Sequence, residues 1–322
     1  MDIPPVLRIE PASACNLRCS HCPTGVVKMK RTVMKENVFS RILSEIKEYI
    51  PPIRVAVMYH GGEPFLNKNF LSMVKRVKEL GIPKVKTVSN GMLIKPEDIN
   101  NIIDSGLDEI EISLDGESFH ENDLIRCGAN GEYIVSIIKQ ILNETIKRSS
   151  NLKLSISTTQ FQSLENFVPD KKATPPKYIT DELKEYEENI KYKTEWAMFW
   201  PCSQPKGGYD ILFDDLSSYT PSCSLIEETL SIRADGNIVP CCFDLTSEVI
   251  LGNIMEENLL DIWSGYSFEK FRSDFKASKY SDLCKNCSFT MGNRYLLMKD
   301  KNNKKQQIYR ASELLVSGKC NE

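Results

Sequence analysis

Apolar residues along the first 200 positions follow two alternating periods. Short runs rich in Val and Ile predict β-strands, and the stretches between them carry apolar residues every three or four positions, as amphipathic helices do. In the stretch 35–50, for example, Phe39, Ile42 and Ile46 share one helical face. The predicted strands span residues 6–10, 54–59, 84–89, 109–114, 152–158 and 195–200. The predicted helices between them span residues 35–50, 69–80, 96–105, 131–147 and 181–191. This order is typical of an α/β fold with a parallel sheet.

Six strand–helix units in a row favour a barrel or partial barrel. An open dinucleotide-binding sheet is the alternative, but no Gly-x-Gly-x-x-Gly motif follows the first strand. In a barrel the loops after the strands carry the chemistry. The noteworthy motifs fall in these loops: three cysteines after the first strand, His60-Gly61-Gly62-Glu63-Pro64 after the second, Ser89-Asn90-Gly91 after the third and Asp115-Gly116 after the fourth. We therefore expect one functional face.

The composition of the chain changes after residue 200. Residues 201–222 are rich in Pro, Gly, Ser and Asp and predict a linker. Beyond it, Asp235-Gly236 between two apolar runs predicts a β-hairpin, and short helices are expected at 259–263 and 268–275. The basic, polar segment 299–322 predicts a solvated helix or tail. The expected domains are a barrel at 1–200, the 201–222 linker, a small domain at 223–298 and that C-terminal segment.

Composition narrows the class of protein. A chain of 322 residues can bury one large core and a smaller one, and its net charge of -3 gives no field that would attract nucleic acid. The N-terminus lacks the basic and apolar regions of a signal peptide, and no stretch is apolar enough to span a bilayer. We therefore expect a cytoplasmic protein with no nucleic-acid or membrane partner. Eleven cysteines in such a chain favour metal ligation over disulfides.

Three of these cysteines form one short loop after the first strand. Cys15, Cys19 and Cys22 follow a Cys-x3-Cys-x2-Cys pattern. A 4Fe-4S cluster takes four thiolates, so a loop that supplies three leaves one iron open for another ligand. The alternative is a zinc site, for which His21 offers a fourth ligand.

Together with the Gly-Gly-Glu-Pro motif at 61–64 and a second cysteine set near the C-terminus, this loop resembles the signature of radical S-adenosylmethionine (SAM) enzymes with a C-terminal SPASM or twitch domain. The resemblance covers nearly the whole chain. It implies a partial (β/α)6 TIM-type barrel followed by a small iron-sulfur domain. It also implies that Cys15, Cys19 and Cys22 bind the 4Fe-4S cluster, whose open iron is chelated by the methionine part of SAM. A flavodoxin or ferredoxin-type protein would supply the electron.

The resemblance also assigns residues to SAM. Gly61, Gly62 and Glu63 would meet the methionine amino group, where glycine lets the backbone approach closely, and His21 would lie beside the adenine. The positions that match sites for the ribose, the carboxylate and the adenine in related enzymes are Ser89, Asn90, Ser113, Asp115, Arg126 and Thr158. Arg126 suits the carboxylate because a guanidinium can donate two parallel hydrogen bonds to it. A purely structural role is the alternative for each of these polar loop residues.

The second cysteine set predicts one auxiliary cluster. Cys223 and Cys241, with a glycine five residues before the latter, resemble the opening of the SPASM pattern, and Cys284 and Cys287 would complete four ligands. The full pattern continues with a cysteine six residues after Cys287, and Asn293 stands there in this chain. The resemblance therefore implies a single auxiliary 4Fe-4S cluster, as in the twitch form. A structural zinc ribbon built from the same four thiols is the alternative.

Two residues beside the auxiliary set are catalytic candidates. Cys242 directly follows an expected ligand, and its thiol could donate a hydrogen atom or accept a proton. Asp244 is the competing acid–base candidate. Buried, inert thiols are the expectation for Cys127, Cys202 and Cys320.

The resemblance, with its single auxiliary cluster, implies a radical enzyme that oxidises a small hydroxylated metabolite, such as a sugar or an aminocyclitol, with the auxiliary cluster as electron acceptor. The first alternative is modification of a ribosomal peptide or protein side chain through thioether formation, oxidation or epimerisation. We expect no leader-peptide-binding domain before the barrel, and this disfavours that alternative. The second alternative is a non-enzymatic module with zinc at both cysteine sets.

Overall fold

The computed structural model describes residues 3–50, 52–160, 172–196, 200, 209–213, 222–285, 287, 289–290, 296–300 and 308–310. Its strands, in chain order, are β1 (Val6–Ile9), β2 (Val55–Val57), β3 (Lys84–Ser89), β4 (Glu109–Ser113), β5 (Lys153–Gln160), β6 (Ile190–Trp196), β7 (Tyr209–Phe213), β8 (Thr229–Ile232), β9 (Asn237–Val239), β10 (Gly252–Asn253), β11 (Leu296–Asp300) and β12 (Ile308–Arg310). Its α-helices are α1 (Pro23–Val26), α2 (Glu36–Ile46), α3 (Phe70–Glu79), α4 (Ile99–Asp104), α5 (Phe119–Ile125), α6 (Gly131–Lys147), α7 (Lys177–Glu182), α8 (Leu225–Glu228), α9 (Leu259–Trp263), α10 (Tyr266–Lys276) and α11 (Asp282–Lys285). None of the helices in these ranges is both long and apolar enough to cross a membrane.

The first six strands lie side by side in one parallel sheet. β1 pairs with β2, β2 with β3, and so on to β5 with β6, always in parallel. Parallel neighbours require a crossover between them, and helices supply it here. Over the described ranges, the sheet order ends at β6 on one side and at β10 on the other. This open arrangement confirms the expected partial barrel.

Apolar side chains on the outer face of the sheet pack against the helices. Leu7 and Ile9 of β1 and Ile110 and Ile112 of β4 are fully buried in one core that also includes apolar residues of α2, α3, α4 and α6. Helix α6 has the bounds that the sequence predicts, because its apolar residues recur at helical spacing and the Asn130 side chain caps its N-terminus. The helix layer therefore covers the outer face.

The alternate strand positions form the inner face of the sheet, and they are polar. Successive side chains of a strand point to opposite faces, so Arg8 on β1 and Lys86 on β3 point away from the helix layer. On β4 and β5 the same face carries Glu111, Ser113 and Ser157. On β1, β4 and β5 the period of two thus separates an apolar helix-facing side from an inner side that carries polar residues.

The predicted hairpin forms, but its first strand belongs to the barrel sheet. β8 pairs antiparallel with β9 around Asp235-Gly236, where Gly236 has a φ of 89°. β8 also pairs in parallel with β1. The sheet therefore continues from the barrel into the C-terminal part of the chain. The local pattern marks the turn, but it carries no information on which distant strand lies beside β8.

Two boundaries late in the barrel correct the predictions. The strand expected at 195–200 is β6, Ile190–Trp196, and the helix expected at 181–191 is replaced by α7 and a 3-10 segment, Lys184–Asn189. Residues 190–194 alternate Ile, Tyr and Thr with lysines, which is a strand period. The acidic run before them resembles a helix in composition and hides that period. Helix α5, which Ser118 caps, has no counterpart among the predicted helices.

Two further segments contain strands in place of the predicted structures. β7 lies inside the predicted 201–222 linker, and β11 and β12 replace the predicted 299–322 helix or tail as far as that segment is described. These strands pair antiparallel in the order β12-β11-β7. The β7–β11 pairing joins residues more than eighty positions apart, so local composition could not reveal it. The predicted domain boundaries at these points stay predictions.

Candidate active site

The cysteine loop lies beyond the C-terminal end of β1 and is held by backbone hydrogen bonds. The Cys22 amide donates to the Cys19 carbonyl at 3.2 Å, and the Arg18 amide donates to the Cys127 carbonyl at 2.9 Å. The thiols of Cys15, Cys19 and Cys22 interact electrostatically with one another. Burial raises the pKa of Cys15 to about 11 and that of Cys19 to about 12. These two thiols therefore keep their protons until a cation binds and displaces them.

Two glycines let neighbouring backbone pack directly on this loop. A Cβ at Gly25 in α1 would lie 2.5 Å from the Cys19 carbonyl oxygen, and one at Gly62 would lie 2.2 Å from the Ala12 carbonyl oxygen. Neither position has room for a side chain. The 61–64 motif is therefore a backbone support for the cysteine loop. Gly25 has the same role, and sequence reasoning missed it because a lone glycine in a short polar stretch carries no signal.

The Glu63 side chain joins the loop after β2 to the loop after β3. Its carboxylate accepts hydrogen bonds from the Ser89 hydroxyl at 2.9 Å, the Asn90 amide at 2.8 Å and the Phe65 amide at 3.1 Å. Burial raises its pKa to about 7 in spite of these donors. The Asn90 side chain in turn contacts Cys15 Sγ at 3.7 Å. Three residues predicted to bind SAM are thus brought together beside the cysteine loop.

Arg126 forms a buried ion pair beside the same loop. Its Nε lies 2.7 Å from Oδ2 of Asp115, whose Oδ1 accepts the Thr159 amide at 2.7 Å. Burial opposes the charge on Arg126, but Asp115 and Cys19 outweigh it and raise the pKa of Arg126. Nε2 of His21 lies 3.7 Å from Asp115, and burial lowers the pKa of His21 to about 4. A fixed guanidinium and a neutral imidazole therefore flank the thiols.

The other two residues predicted to bind SAM make contacts between strands. Ser113 ends β4 on the inner face, where its hydroxyl lies 3.1 Å from that of Ser157 on β5. Thr158 donates to the Thr194 hydroxyl on β6 at 3.0 Å. Both contacts hold the sheet together, and neither joins a strand to the cysteine loop. The assignment of these two residues to SAM stays a prediction.

The second set of thiols also converges. Cys223 interacts electrostatically with Cys287, Cys284 interacts with both, and Cys241 interacts with Cys284 and Cys287. Burial raises the pKa of Cys223, Cys241 and Cys284. Cys242 belongs to this group as well, since it interacts with Cys241 and Cys287. The predicted ligands are thus together, with one additional thiol among them. The predicted inert thiols at 202 and 320 lie outside the described residues.

The donors at both places are those that iron-sulfur clusters take. Thiolates bind such clusters, and the described cysteines are free thiols. Burial raises the pKa of five of the proposed ligands, Cys15, Cys19, Cys223, Cys241 and Cys284, and cluster binding would release their protons. Within the described ranges, no three His, Cys, Asp or Glu side chains are drawn together tightly enough to hold one metal ion. The fit therefore rests on the identity and number of the thiols and not on their spacing.

A buried network links the supports of the two thiol sets. Glu10, after β1, pairs with Arg233 at 3.0 Å and accepts the Gly61 amide at 3.0 Å. Arg233 donates to the Asp244 carbonyl oxygen at 3.0 Å, and His60 Nε2 lies 3.1 Å from the same oxygen. Sequence reasoning missed Glu10 and Arg233, because charged residues at strand ends usually face solvent. Their pairing depends on the contact between β1 and β8.

Both carboxylate oxygens of Asp244 are used within its own loop. One accepts the Glu248 amide at 2.8 Å and the other accepts the Val249 amide at 2.9 Å, and the side chain is fully buried. This arrangement favours a structural role over the predicted acid–base role. Cys242 differs, because it interacts electrostatically with Arg8 on the inner face of the barrel. Of the two catalytic candidates, Cys242 is therefore the one near the barrel interior.

Two family models match the chain. One, described as the radical SAM superfamily, matches residues 9–158, and the other, described as the SPASM iron-sulfur cluster-binding domain, matches residues 223–288. The first range contains the whole cysteine loop, and the second contains all four predicted auxiliary ligands. Together the two ranges cover about two thirds of the chain.

Proteins similar over most of the chain include two curated enzymes. The S-adenosyl-L-methionine-dependent 2-deoxy-scyllo-inosamine dehydrogenase of Niallia circulans is 22% identical over 291 residues, which are 88% of this chain and 92% of that protein. The tungsten-containing aldehyde ferredoxin oxidoreductase cofactor-modifying protein of Pyrococcus furiosus is 24% identical over 326 residues, covering 88% of this chain and 86% of that protein. The solved structure of BtrN in complex with AdoMet and 2-DOIA has a TM-score of 0.55 at 17% identity and covers 89% of this chain and 94% of that one. That likeness establishes the fold.

Proposed function

Because the chain belongs to the radical SAM superfamily and carries a SPASM domain, we propose that it oxidises one carbon of a small hydroxylated metabolite, such as a sugar or an aminocyclitol. The aminocyclitol class is supported by the name of the dehydrogenase that the chain resembles along nearly its full length. At that identity the substrate of the relative does not transfer by itself. The proposal therefore depends on what the barrel of this chain can hold.

The residues that would hold the cofactors form the two thiol sets. When bound, SAM and its cluster supply a carbon-centred radical that removes one hydrogen atom from the substrate. Glu63 and Asn90 fix the loops beside Cys15, and Arg126 keeps a positive charge near Cys19. The proposed ligands are Cys15, Cys19 and Cys22 for the SAM-binding cluster and Cys223, Cys241, Cys284 and Cys287 for one auxiliary 4Fe-4S cluster.

The polar inner face is the observation that supports a hydroxylated substrate. Ser113 and Ser157 present their hydroxyls to each other at 3.1 Å, and Ser155 on the same face donates to Glu109 at 3.0 Å. Such side chains can exchange their mutual hydrogen bonds for bonds to substrate hydroxyls. An apolar substrate would cover these polar groups without forming a hydrogen bond to any of them, so the inner face favours a hydroxylated substrate.

Oxidation of a C–OH group to C=O removes one hydrogen atom, one proton and one electron from the substrate. The proposed destination of the electron is the site formed by the second thiol set. Cys242, in that set, interacts with Arg8 on the inner face, so the thiols adjoin the barrel interior. The Cys242 thiol is also a candidate to accept the proton or, in an epimerisation, to return a hydrogen atom.

Deuterium transfer tests the proposed function. The anaerobically reconstituted enzyme would be reduced, supplied with SAM and incubated with a panel of C-deuterated sugars and aminocyclitols. We expect one member to raise 5'-deoxyadenosine formation and to place its deuterium in that product, and we expect the Cys19→Ala variant to form none. Stimulation by a ribosomal peptide with no response to any hydroxylated metabolite would contradict the proposal and establish the peptide alternative.

The electron donor and the compartment are further parts of this proposal. A cluster whose ligands are free thiols suits the reducing cytoplasm, which is where we propose that the enzyme works. A flavodoxin or ferredoxin-type protein is the proposed reductant there. Reduced flavodoxin should support SAM cleavage in place of dithionite, and failure of both flavodoxin and ferredoxin to do so would contradict this assignment.

A further inference from the structure

Charged side chains from four strands meet on the inner face of the barrel. Lys193 on β6 lies 2.5 Å from Glu109 and 2.5 Å from Glu111, both on β4, and Lys84 on β3 lies 2.5 Å from the other oxygen of Glu109. Lys86 on β3 interacts electrostatically with Lys193, with both glutamates and with Arg8 on β1. We call the group Arg8, Lys84, Lys86, Glu109, Glu111 and Lys193 the inner charge cluster.

The inner charge cluster carries more positive than negative charge. It contains four cationic side chains and two carboxylates. Burial opposes the charge of Glu109, but its hydrogen bonds with Lys193 and Lys84 lower its pKa to about 2, so both partners of those bonds stay ionised. The charges of Lys84 and Lys193 are thus balanced by the carboxylates of Glu109 and Glu111. An excess of two positive charges remains on Arg8 and Lys86.

Neither Arg8 nor Lys86 forms an ion pair among the described residues, although Arg8 interacts electrostatically with the thiols of Cys241 and Cys242 and Lys86 with the more distant Glu109 and Glu111. The Arg8 guanidinium donates to the Tyr59 carbonyl oxygen at 3.2 Å and lies over the Tyr59 ring, 4.8 Å from its centroid. Its Nε is buried and has no hydrogen-bond partner, and the residue as a whole is only 9% exposed. No ion pair of the described residues includes Lys86, which is half-buried. Arg8 is in register with Val57 on β2, and Val57 with Lys86 on β3, so the two cations lie level on one face of the sheet. Two like charges in such a position are costly unless an anion neutralises them.

The two cations lie between the cofactor loops and the floor of the barrel. Lys86 precedes Ser89 by three residues on β3, so its Cα lies about 10 Å deeper than the loop that holds Asn90, at about 3.3 Å per strand residue. Arg8 also interacts electrostatically with Cys242 of the second thiol set. A substrate of sugar size can therefore reach from the radical-generating end of the barrel down to both cations.

We propose that Arg8 and Lys86 form a subsite that binds an anionic group of the substrate, a carboxylate or a phosphate. This inference rests on the proposed function, and it narrows the substrate to a hydroxylated metabolite that also bears a negative charge, such as a sugar acid or a sugar phosphate. The anionic group would anchor the molecule near the floor of the barrel and leave the carbon to be oxidised toward the cysteine loop. A free ammonium group would be repelled from this end, so an aminocyclitol would have to direct its amine elsewhere.

Binding of simple anions tests the subsite directly. Inorganic phosphate and acetate are the two probes, titrated by calorimetry at low ionic strength into the anaerobically reconstituted holoenzyme with SAM bound. We expect one of them to bind at one site per chain. Tighter binding of phosphate would indicate a phosphorylated substrate, and tighter binding of acetate would indicate a sugar acid. Absence of binding by both would overturn the proposal.

Substitutions at Lys86 locate the binding. We expect Lys86→Met to weaken the bound anion at least about tenfold, the usual effect of losing a charge-assisted hydrogen bond, and Lys86→Arg to restore most of the affinity. The matched control is Lys191→Met, which removes an exposed lysine of β6 and should leave the affinity unchanged. Equal affinities in Lys86→Met and the wild type would show that the anion binds elsewhere and would overturn the proposal.

A stability measurement separates the subsite from a structural role. Because Lys86 adds to an excess of positive charge, Lys86→Met should melt at the same temperature as the wild type or higher in anion-free buffer, and it should lose the increase in melting temperature that phosphate or acetate gives the wild type. A lower melting temperature without anion would identify Lys86 as a structural residue and would count against the subsite.

The outcomes distinguish failure of the subsite from failure of the proposed function. If uncharged hydroxylated metabolites stimulate 5'-deoxyadenosine formation and neither anion binds, the subsite is wrong and the proposed function stands. If an anion binds through Lys86 and no hydroxylated metabolite stimulates the reaction, the subsite stands and the proposed function fails.

Discussion

The two thiol sets of this protein are supported in different ways. The cysteine loop at 15–22 is enclosed by backbone, since a Cβ at Gly25 or at Gly62 would collide with its carbonyl oxygens or with those just before it. The second set has five thiols for four expected ligands, and the loop beside it is shaped by a buried carboxylate, Asp244. The backbone around the first set therefore holds its loop in one conformation, whereas the second set includes an additional thiol, Cys242, which could face a substrate. The loop proposed to hold the SAM-binding cluster is thus tightly enclosed by backbone, and the second set contains a surplus thiol that interacts with Arg8 on the inner face.

Replacing Gly62 by alanine should produce the largest effect. Its Cβ would lie 2.2 Å from the Ala12 carbonyl oxygen and 2.4 Å from that of Ala14, so the loop has to move. A shift of about 1 Å at a catalytic site costs on the order of 100-fold in rate, and we expect SAM cleavage to fall by at least that factor. The measurement is 5'-deoxyadenosine formation without substrate. A Gly62→Ala variant with wild-type cleavage would show that backbone packing does not hold this loop.

Gly81→Ala is the control for the glycine substitution. Gly81 has a φ of 89° and no atom within 4 Å of a built Cβ. The Gly81→Ala substitution should therefore cost about 1 kcal/mol of stability through backbone strain, and it should leave SAM cleavage unchanged.

Comparison of Cys241→Ala with Cys242→Ala should identify the surplus thiol. Two 4Fe-4S clusters hold about eight irons per chain. We expect Cys241→Ala to retain about four and Cys242→Ala to retain nearly all of them, because Cys241 interacts with both Cys284 and Cys287. Iron analysis and electron paramagnetic resonance measure the outcome. The reverse result would make Cys242 the ligand, and it would remove the difference drawn between the two sets.

The pH dependence of stability should report the titration of Glu63, whose carboxylate joins two loops beside the first thiol set. Burial raises the folded-state pKa of Glu63 to about 7 from an ordinary value of 4.5. The folded protein then binds more protons than the unfolded chain between these values, so its stability falls as the pH rises from 4.5 to 7. The loss amounts to as much as about 3 kcal/mol at 1.36 kcal/mol per unit of pKa.

Denaturation of the reconstituted protein at a series of pH values measures this loss. The Glu63→Gln variant should lack this part of the slope, whatever its absolute stability. Identical slopes in the two proteins would mean that Glu63 does not titrate in this range.

Asp244→Asn should give the smallest effect. The substitution takes away one of the acceptors that hold the Glu248 and Val249 amides, at a cost of about 1 to 2 kcal/mol. Once the substrate is known, its turnover should be nearly unchanged at a temperature where the variant is folded. A loss of turnover by orders of magnitude with unchanged stability would restore the acid–base role of Asp244.

Much of the fold could be predicted because its signals are local. β3 and α6 have the bounds that the pattern of Val, Ile and charged residues indicates. The cysteine loop, the Gly-Gly-Glu-Pro motif and the Asp-Gly turn are also contiguous in sequence. Predictions failed where the signal is non-local: β7 and β11 become strands by pairing with each other across more than eighty positions. At β6 the alternation in residues 190–194 indicates a strand, but the acidic run before it resembles a helix in composition, so the prediction puts the strand too far along the chain.

The candidate site also has parts that local sequence predicts and parts that depend on distant contacts. The resemblance to radical SAM enzymes implied all seven cluster thiols, and the position of each motif directly after a predicted strand indicated the loops that carry Glu63, Asn90 and Asp115. Local sequence could not show that Asp115 pairs with Arg126, nor that Asp244 is used within its own loop.

By itself, the sequence determined the family, the kind of cofactor and the alternation of helix-facing and inner positions, since thiol spacing and side-chain period are properties of contiguous residues. Only the tertiary structure decided how these parts meet. It placed β8 beside β1, so that Glu10 reaches Arg233, and it set the register of β1, β2 and β3 that puts Arg8 and Lys86 level on the inner face. The physical reason is that charge balance depends on every group within a few ångströms, so an arginine and a lysine that look solvated in sequence become an unneutralised excess only when the fold brings them together.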